Sequence, residues 1–132
     1  MGRLTLNSVL LDTHAWAWSL TGDDRLSEKA SSVMTNASSI FVSPISFFEI
    51  GQKVRLGKWP EMADHVEHLK EILEKQGGLL AALEARICLR ASTMAWNHSD
   101  PFDRILAASA AHYNLPILSA DTVFDGVVTR LW

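Results

Sequence analysis

Short, unbroken apolar runs alternate with longer stretches of helical periodicity along this chain, and no other feature restricts its fold so strongly. Ser8-Val9-Leu10-Leu11 stays apolar until it stops at Asp12. Ser39-Ile40-Phe41-Val42 and Pro116-Ile117-Leu118-Ser119 have the same character, and Val127-Val128-Thr129 reads as the last strand. Runs of this kind fit strands buried on both faces. Leu79-Leu80-Ala81-Ala82 reads as a further strand, against the helical preference of Leu and Ala. Between these runs lie helices. His14 to Leu20 is a short one, followed by the loop Thr21 to Asp24. Ser27 caps a helix to about Asn36. Ser43 and Pro44 supply the N-cap and first residue of a helix to about Arg55, closed by Gly57. Met62 to Lys75 is amphipathic, with Val66, Leu69, Ile72 and Leu73 on one side, and Gly77-Gly78 ends it. Glu84 to Met94 is helical, and Pro101 opens a helix that stops at Asn114.

Strands separated by helices imply βαβ units and a mostly parallel sheet. In such sheets ligands bind beyond the carboxyl ends of the strands. Asp12 directly follows the first strand and Asp121 follows the fourth by two residues, so both belong at that edge. A length of 132 residues fits one domain over 1–132. The chain is 48% hydrophobic and 20% charged, which is the balance of a globular protein. Its net charge of −3 excludes a broad basic field, so any nucleic-acid contact must be local. Cys88 has no partner for an internal disulfide, which suits a reducing, cytoplasmic compartment. No apolar run approaches the ~18 residues of a membrane span, and Met1 to Asn7 does not read as a signal peptide.

Several carboxylates stand where function is expected. Asp12 and Asp121 each have a local alternative as a helix cap or turn residue. Glu49 sits among Ile45, Phe47, Phe48, Ile50 and Val54, where a carboxylate is costly unless paired or metal-bound. Lys53, one turn on, is the alternative partner, and Ser46, one turn back, is placed to orient it. In Asp100-Pro101-Phe102-Asp103, Asp100 suits the N-cap, Pro101 the first helical position and Asp103 a capping-box position. Lys53, Arg55 and Lys58 form a basic cluster that can hold an RNA backbone or simply face solvent. His14, His65, His68, His98 and His112 are scattered and offer no zinc site.

Four stretches carry a family resemblance: Leu10-Leu11-Asp12-Thr13-His14, Ser43 to Ile50, Asp100 to Ala108, and Ile117 to Asp121. With these in register, the chain resembles small PIN-domain proteins, most closely the VapC-type toxins of bacterial toxin–antitoxin modules. Ser109 departs from the pattern, since many relatives have Gln there. The resemblance implies a three-layer α/β/α domain with a central sheet of about five strands. It implies an acidic site of Asp12, Glu49, Asp103 and Asp121 around Mg²⁺ or Mn²⁺, hard cations that prefer oxygen ligands. Asp12 and Asp103 are then the principal ligands, and Thr13, Ser46, Arg104 and Ser119 are supports. The implied activity is metal-dependent cleavage of RNA. The implied partners are a cognate antitoxin and a second copy of the chain. Trp16, Trp18, Phe47, Trp59 and Trp96 are many large apolar groups for one small domain, so some are expected at the surface as interface anchors. Rival readings are a housekeeping nuclease of RNA processing or DNA repair, an inactive binding module of the same fold, and a receiver-like phosphotransfer domain.

Overall fold

The computed structural model describes residues 7–132. Met1 to Asn7, read above as no signal peptide, lies outside the described residues except for Asn7. The elements in chain order are β1 (Val9–Leu11), α1 (Thr13–Thr21), α2 (Glu28–Asn36), β2 (Ile40–Val42), α3 (Pro44–Arg55), a 3-10 stretch (Pro60–His68), α4 (Leu69–Lys75), β3 (Leu79–Leu80), α5 (Ala85–Thr93), α6 (Pro101–Tyr113), β4 (Ile117–Leu118), a 3-10 turn (Thr122–Phe124) and β5 (Arg130–Leu131). The strands lie in the order β3-β2-β1-β4-β5, and every neighbouring pair is parallel.

Strand alternation divides the core between the two faces of the sheet. Val9 and Leu11 of β1 and Leu118 of β4 pack with Trp16, Ile50, Met62 and Leu73. Leu10 and Ile117 pack on the other face with Leu106, Ala107 and Ala110 of α6 and with Phe124. Ile87 and Ala91 of α5 pack in turn on Ala108 of α6. Helices therefore cover both faces, giving the three-layer α/β/α arrangement. No helix of the described residues is long and apolar enough to cross a membrane.

The helix starts follow their capping residues. Ser27 Oγ accepts from the Ala30 amide at 3.0 Å, and Ser43 Oγ accepts from Ile45 at 3.1 Å. Asn114 ends α6 in the left-handed region, at φ 54°. Three expectations need correction. The last strand is Arg130–Leu131, immediately after the expected Val127–Thr129. The amides of Val127 and Val128 both donate to the Phe124 carbonyl, at 3.1 and 3.2 Å, and so close a turn instead of a ladder. The stretch Met62–Lys75 is α-helical only from Leu69; before it only Met62 is buried, so little packing holds α-helical pitch. The Leu79–Ala82 strand is paired over Leu79–Leu80, although the Ala81 amide still reaches Val42 O at 2.9 Å.

Of Trp16, Trp18, Phe47, Trp59 and Trp96, some of which were expected at the surface, three reach it in part. Trp16 and Trp59 are buried, and Trp18, Phe47 and Trp96 are half-buried. Trp16 donates its indole N–H to Gln76 Oε1 at 2.9 Å, which satisfies its one polar group and permits deep burial. The exposed large apolar side chains are Phe48, Leu56, Leu79, Leu80 and Leu89.

Leu10 fills the centre of the sheet without exposure, whereas Leu89 is 67% exposed. Leu10→Ala is expected to cost about 2–5 kcal/mol, with Leu89→Ala within about 0.5 kcal/mol of wild type. Urea unfolding midpoints at unchanged slope measure both, and equal shifts for the two variants would contradict this description of the core.

Candidate active site

The chain lays β2 and then β3 on one side of β1, and returns to place β4 on the other side. The direction of winding thus reverses between β1 and β4, where open α/β sheets form their binding crevice. Asp12 stands at this point. Its amide donates to Leu118 O at 3.0 Å, which extends the β1–β4 ladder by one residue. Although Asp12 occupies the N-cap position of α1, its side chain makes no cap bond. Its Oδ2 instead accepts from Ser119 Oγ at 2.6 Å. The capping alternative for Asp12 is therefore unused, and Ser119 positions the carboxylate as a support should.

The other carboxylates arrive from separate elements. Glu49, buried on α3, accepts from Lys53 Nζ at 2.7 Å, so the anticipated ion pair within the helix exists. Ser46 does not orient Glu49, contrary to expectation. Its hydroxyl bonds Thr13 Oγ1 at 2.7 Å, and these two buried groups tie the start of α1 to α3. Asp103 lies in the first turn of α6 without capping it. Asp100 does so, accepting from the Phe102 and Asp103 amides at 2.8 and 3.1 Å. The Asp103 carboxylate is left free to meet His98 Nε2 at 2.7 Å. Asp121 is exposed and caps the 3-10 turn through the Val123 amide at 3.0 Å. Arg104 faces away from the acids. It donates to the carbonyls of Ala91, Met94, Trp96 and His98 at 2.6–2.8 Å, and so fixes the loop that carries His98.

Asp12, Glu49, Asp103 and Asp121 all line one cleft of about 420 Å³. Asp100, His14, Arg25 and Lys53 share its walls. A larger cavity of about 640 Å³, beside α5 and α6, contains no carboxylate and is not the acidic site. Burial pushes the Asp12 carboxyl up, reinforced by Glu49 and opposed by the Ser119 hydrogen bond and by His14. Burial likewise lifts Asp103 to about 6, with Asp100 and Asp12 adding repulsion and His98 opposing it. The cleft therefore holds more negative charge than its own cations offset. Among the described residues no three acidic, His or Cys side chains form a ready-made metal cage. An open set of carboxylate oxygens with uncompensated charge suits a hard cation that keeps several waters.

Strand order put Asp12 and Asp121 at this edge, the family resemblance added Glu49 and Asp103, and four neighbours were missed. His14 and His98, read as scattered, both reach the site; the signal for His98 was its place just ahead of the Asp100 cap. Arg25 and Asp100 also line the cleft. Of the basic cluster, Lys53 borders the acids and Lys58 an adjoining hollow, while Arg55 borders neither.

Fold and site together define an α/β protein with an acidic crevice at its topological switch point. The sequence matches the PIN domain family over residues 9–128, and the chain belongs to that family. PIN domains are generally nucleases and generally use divalent metals. No curated protein matches the sequence. Among solved structures, the chain is similar to FitAcB from Neisseria gonorrhoeae, at 21% identity and TM-score 0.65, covering 94% of this chain and 96% of that one. It is also similar to VapBC2 from Rickettsia felis bound to a DNA fragment from their promoter, at 14% identity and TM-score 0.64, covering 95% and 98%. A third likeness is to FitAB bound to the IR36 DNA fragment, at 20% identity and TM-score 0.59, covering 93% of each chain. At these identities the likeness is one of fold.

Two outcomes follow from the site geometry. Arg104→Gln leaves several carbonyls without their charged donor, and is expected to cost about 2–4 kcal/mol in chemical denaturation. Asp103 has a folded-state pKa above its ordinary 3.8, so its ionisation opposes folding, and stability falls as pH rises from about 4 through 6. In metal-free protein at pH 7, Asp103→Asn should then raise stability by about 1 kcal/mol, with the gain fading as pH falls from about 6 and gone below about 4. Thermal melts in EDTA across this range test the sign; a variant melting below wild type at neutral pH contradicts it.

Proposed function

We propose that this chain is a metal-dependent endoribonuclease and the toxin of a toxin–antitoxin pair. The observation that carries the reading is the convergence of Asp12, Glu49, Asp103 and Asp121, from four separate segments, on one cleft at the switch point. Membership of a generally nucleolytic family supports it, and so does the similarity in fold to VapBC and FitAB complexes.

In this reading Asp12 and Asp103 are the principal ligands of Mg²⁺ or Mn²⁺, with Glu49 and Asp121 acting through waters. When bound, the metal supplies an acidified water as nucleophile and neutralises charge on the phosphate. The rest is done by the chain. Ser119 and His98 each hold one carboxylate by a single short hydrogen bond, which fixes the ligand oxygens before substrate arrives. Lys53 offsets Glu49 and stands beside the acids, so it lowers the cost of bringing a phosphate among them. Burial of Asp12 keeps bulk water from screening these charges.

The expected partners are a small antitoxin and a second copy of the chain. Exposed Phe48, Leu56, Leu79, Leu80 and Leu89 provide apolar surface for such contacts. An acidic cleft also attracts an Arg or Lys from an inhibitor.

Purified protein should cut susceptible RNA with Mg²⁺ or Mn²⁺ and stop in EDTA, and Asp12→Asn or Asp103→Asn should lower cleavage by orders of magnitude. Cleavage undiminished in EDTA would sink the reading. Light scattering should give about twice the monomer mass, and co-expression with a neighbouring antitoxin gene should relieve growth arrest. A monomer without such a neighbour points to the housekeeping nuclease instead.

A further inference from the structure

The acidic cleft adjoins a second hollow of about 230 Å³ that is unlike it in charge and surface. His14, Trp18, Arg25 and Lys53 line both, so the two share a wall. Lys58 and Trp59 complete the second, with Glu61 as its one acid. Three cations and one carboxylate line it, whereas carboxylates outnumber cations along the acidic cleft.

The rings in this hollow form a shelf. The His14 imidazole lies 4.9 Å from Trp59 at an interplanar angle of 30°, and 5.8 Å from Trp18. Trp59 is buried and braces His14 from behind, whereas His14 and Trp18 retain partial exposure. The Arg25 guanidinium stands 4.8 Å over Trp18, and Lys53 Nζ stands 5.4 Å from the Trp59 centroid. The cations are not equally free. Arg25 is forked onto Asp23, and Lys53 is bonded to Glu49. Lys58, exposed, makes no ion pair among the described residues.

A single nucleic-acid strand offers alternating phosphates and unstacked base faces, and proteins hold it with cations for the first and aromatic rings for the second. A duplex keeps its bases stacked and presents none to a shelf. We propose that the second hollow is a nucleotide subsite for single-stranded RNA. It holds the nucleotide next to the scissile phosphate, with the base against His14 and Trp18 and the flanking phosphate on Lys58. This rests on the nuclease reading of the adjoining cleft, and it names the substrate form and the residues that grip it. The juxtaposition also solves a physical problem, since an acidic cleft repels a polyanion and needs cations beside it to retain the strand.

The test uses full-length Asp12→Asn protein and a ten-nucleotide RNA of mixed sequence, with its duplex as comparison. The single strand should bind at least tenfold more tightly than the duplex and quench tryptophan emission. Added to this background, Lys58→Gln should weaken binding several-fold and lower the slope of log affinity against log salt by about 1. Trp18→Phe should retain most of the binding while losing part of the quenching, and so keeps the shelf testable should His14→Ala perturb Asp12. In otherwise wild-type protein, Lys58→Gln should raise KM for RNA with kcat within about twofold. Equal affinity for duplex and single strand, or a Lys58→Gln variant with unaltered affinity and salt slope, overturns the subsite. If wild type cleaves RNA while those variants bind normally, the subsite alone fails. If the strand binds with quenching and wild type never cleaves, the nuclease reading fails and the subsite stands.

Discussion

The whole site depends on β4 lying directly against β1. That pairing brings Ser119 to Asp12 across 107 positions of sequence, so that one hydroxyl holds one carboxylate at 2.6 Å. The Asp12 amide bond to Leu118 adds a backbone lock at the same place. Nothing local to either strand requires this contact. It follows from the right-handed crossovers that parallel strands demand, and from the reversal of winding after β3. Once β1 and β4 are neighbours, α1 must start at the crevice, α3 must pass beside it, and α6 must enter from the opposite face of the sheet. The four acids are where they are because those three helices and one loop have no other way to leave the sheet edge.

The crevice is also the least comfortable part of the molecule. Burial pushes both Asp12 and Asp103 toward their neutral forms, with the charge of Glu49 adding to it at Asp12 and those of Asp100 and Asp12 at Asp103. A protein selected for stability alone would not keep them. Their neighbours reduce the repulsion without removing it: Lys53 takes Glu49, His98 takes Asp103, and Ser119 gives Asp12 only a neutral donor. Stability and chemistry are thus in opposition within a few ångströms, as functional sites commonly show.

How much of this was legible beforehand depended on the range of the signal. The buried strands announced themselves because β1, β2 and β4 are covered on both faces and so are apolar without interruption. Capping at Ser27, Ser43 and Asp100 was legible because a cap is a contact within three residues. The fifth strand was not, because Val127 and Val128 have strand-like side chains but spend their amides on Phe124. The acids could be named from their position after strands and within a family pattern, and so could Lys53 and Ser119, but not the partners chosen by other elements. Ser46 turned to Thr13 instead of Glu49, and His98 reached Asp103, because those choices are made by side chains from other elements. The aromatic residues misled for a related reason. Size suggested surface anchors, while a hydrogen bond from the Trp16 indole to Gln76 and the packing of Trp59 under His14 let Trp16 and Trp59 be buried.

Arg104 settles a different matter. By donating to the carbonyls of Ala91, Met94, Trp96 and His98, a side chain of α6 dictates the path of a loop through that loop's backbone alone. The path is then encoded outside the segment that follows it. Residues such as Ala95, Asn97 and Ser99 can change identity without redrawing the curve, because every residue type except proline presents the same backbone. One wall of the larger cavity beside α5 and α6 is in this way free to diversify in sequence while His98 is returned to Asp103 each time the chain folds. A single arginine thereby separates what the loop looks like from what it is made of, and gives the protein a place to acquire new recognition without rebuilding its chemistry.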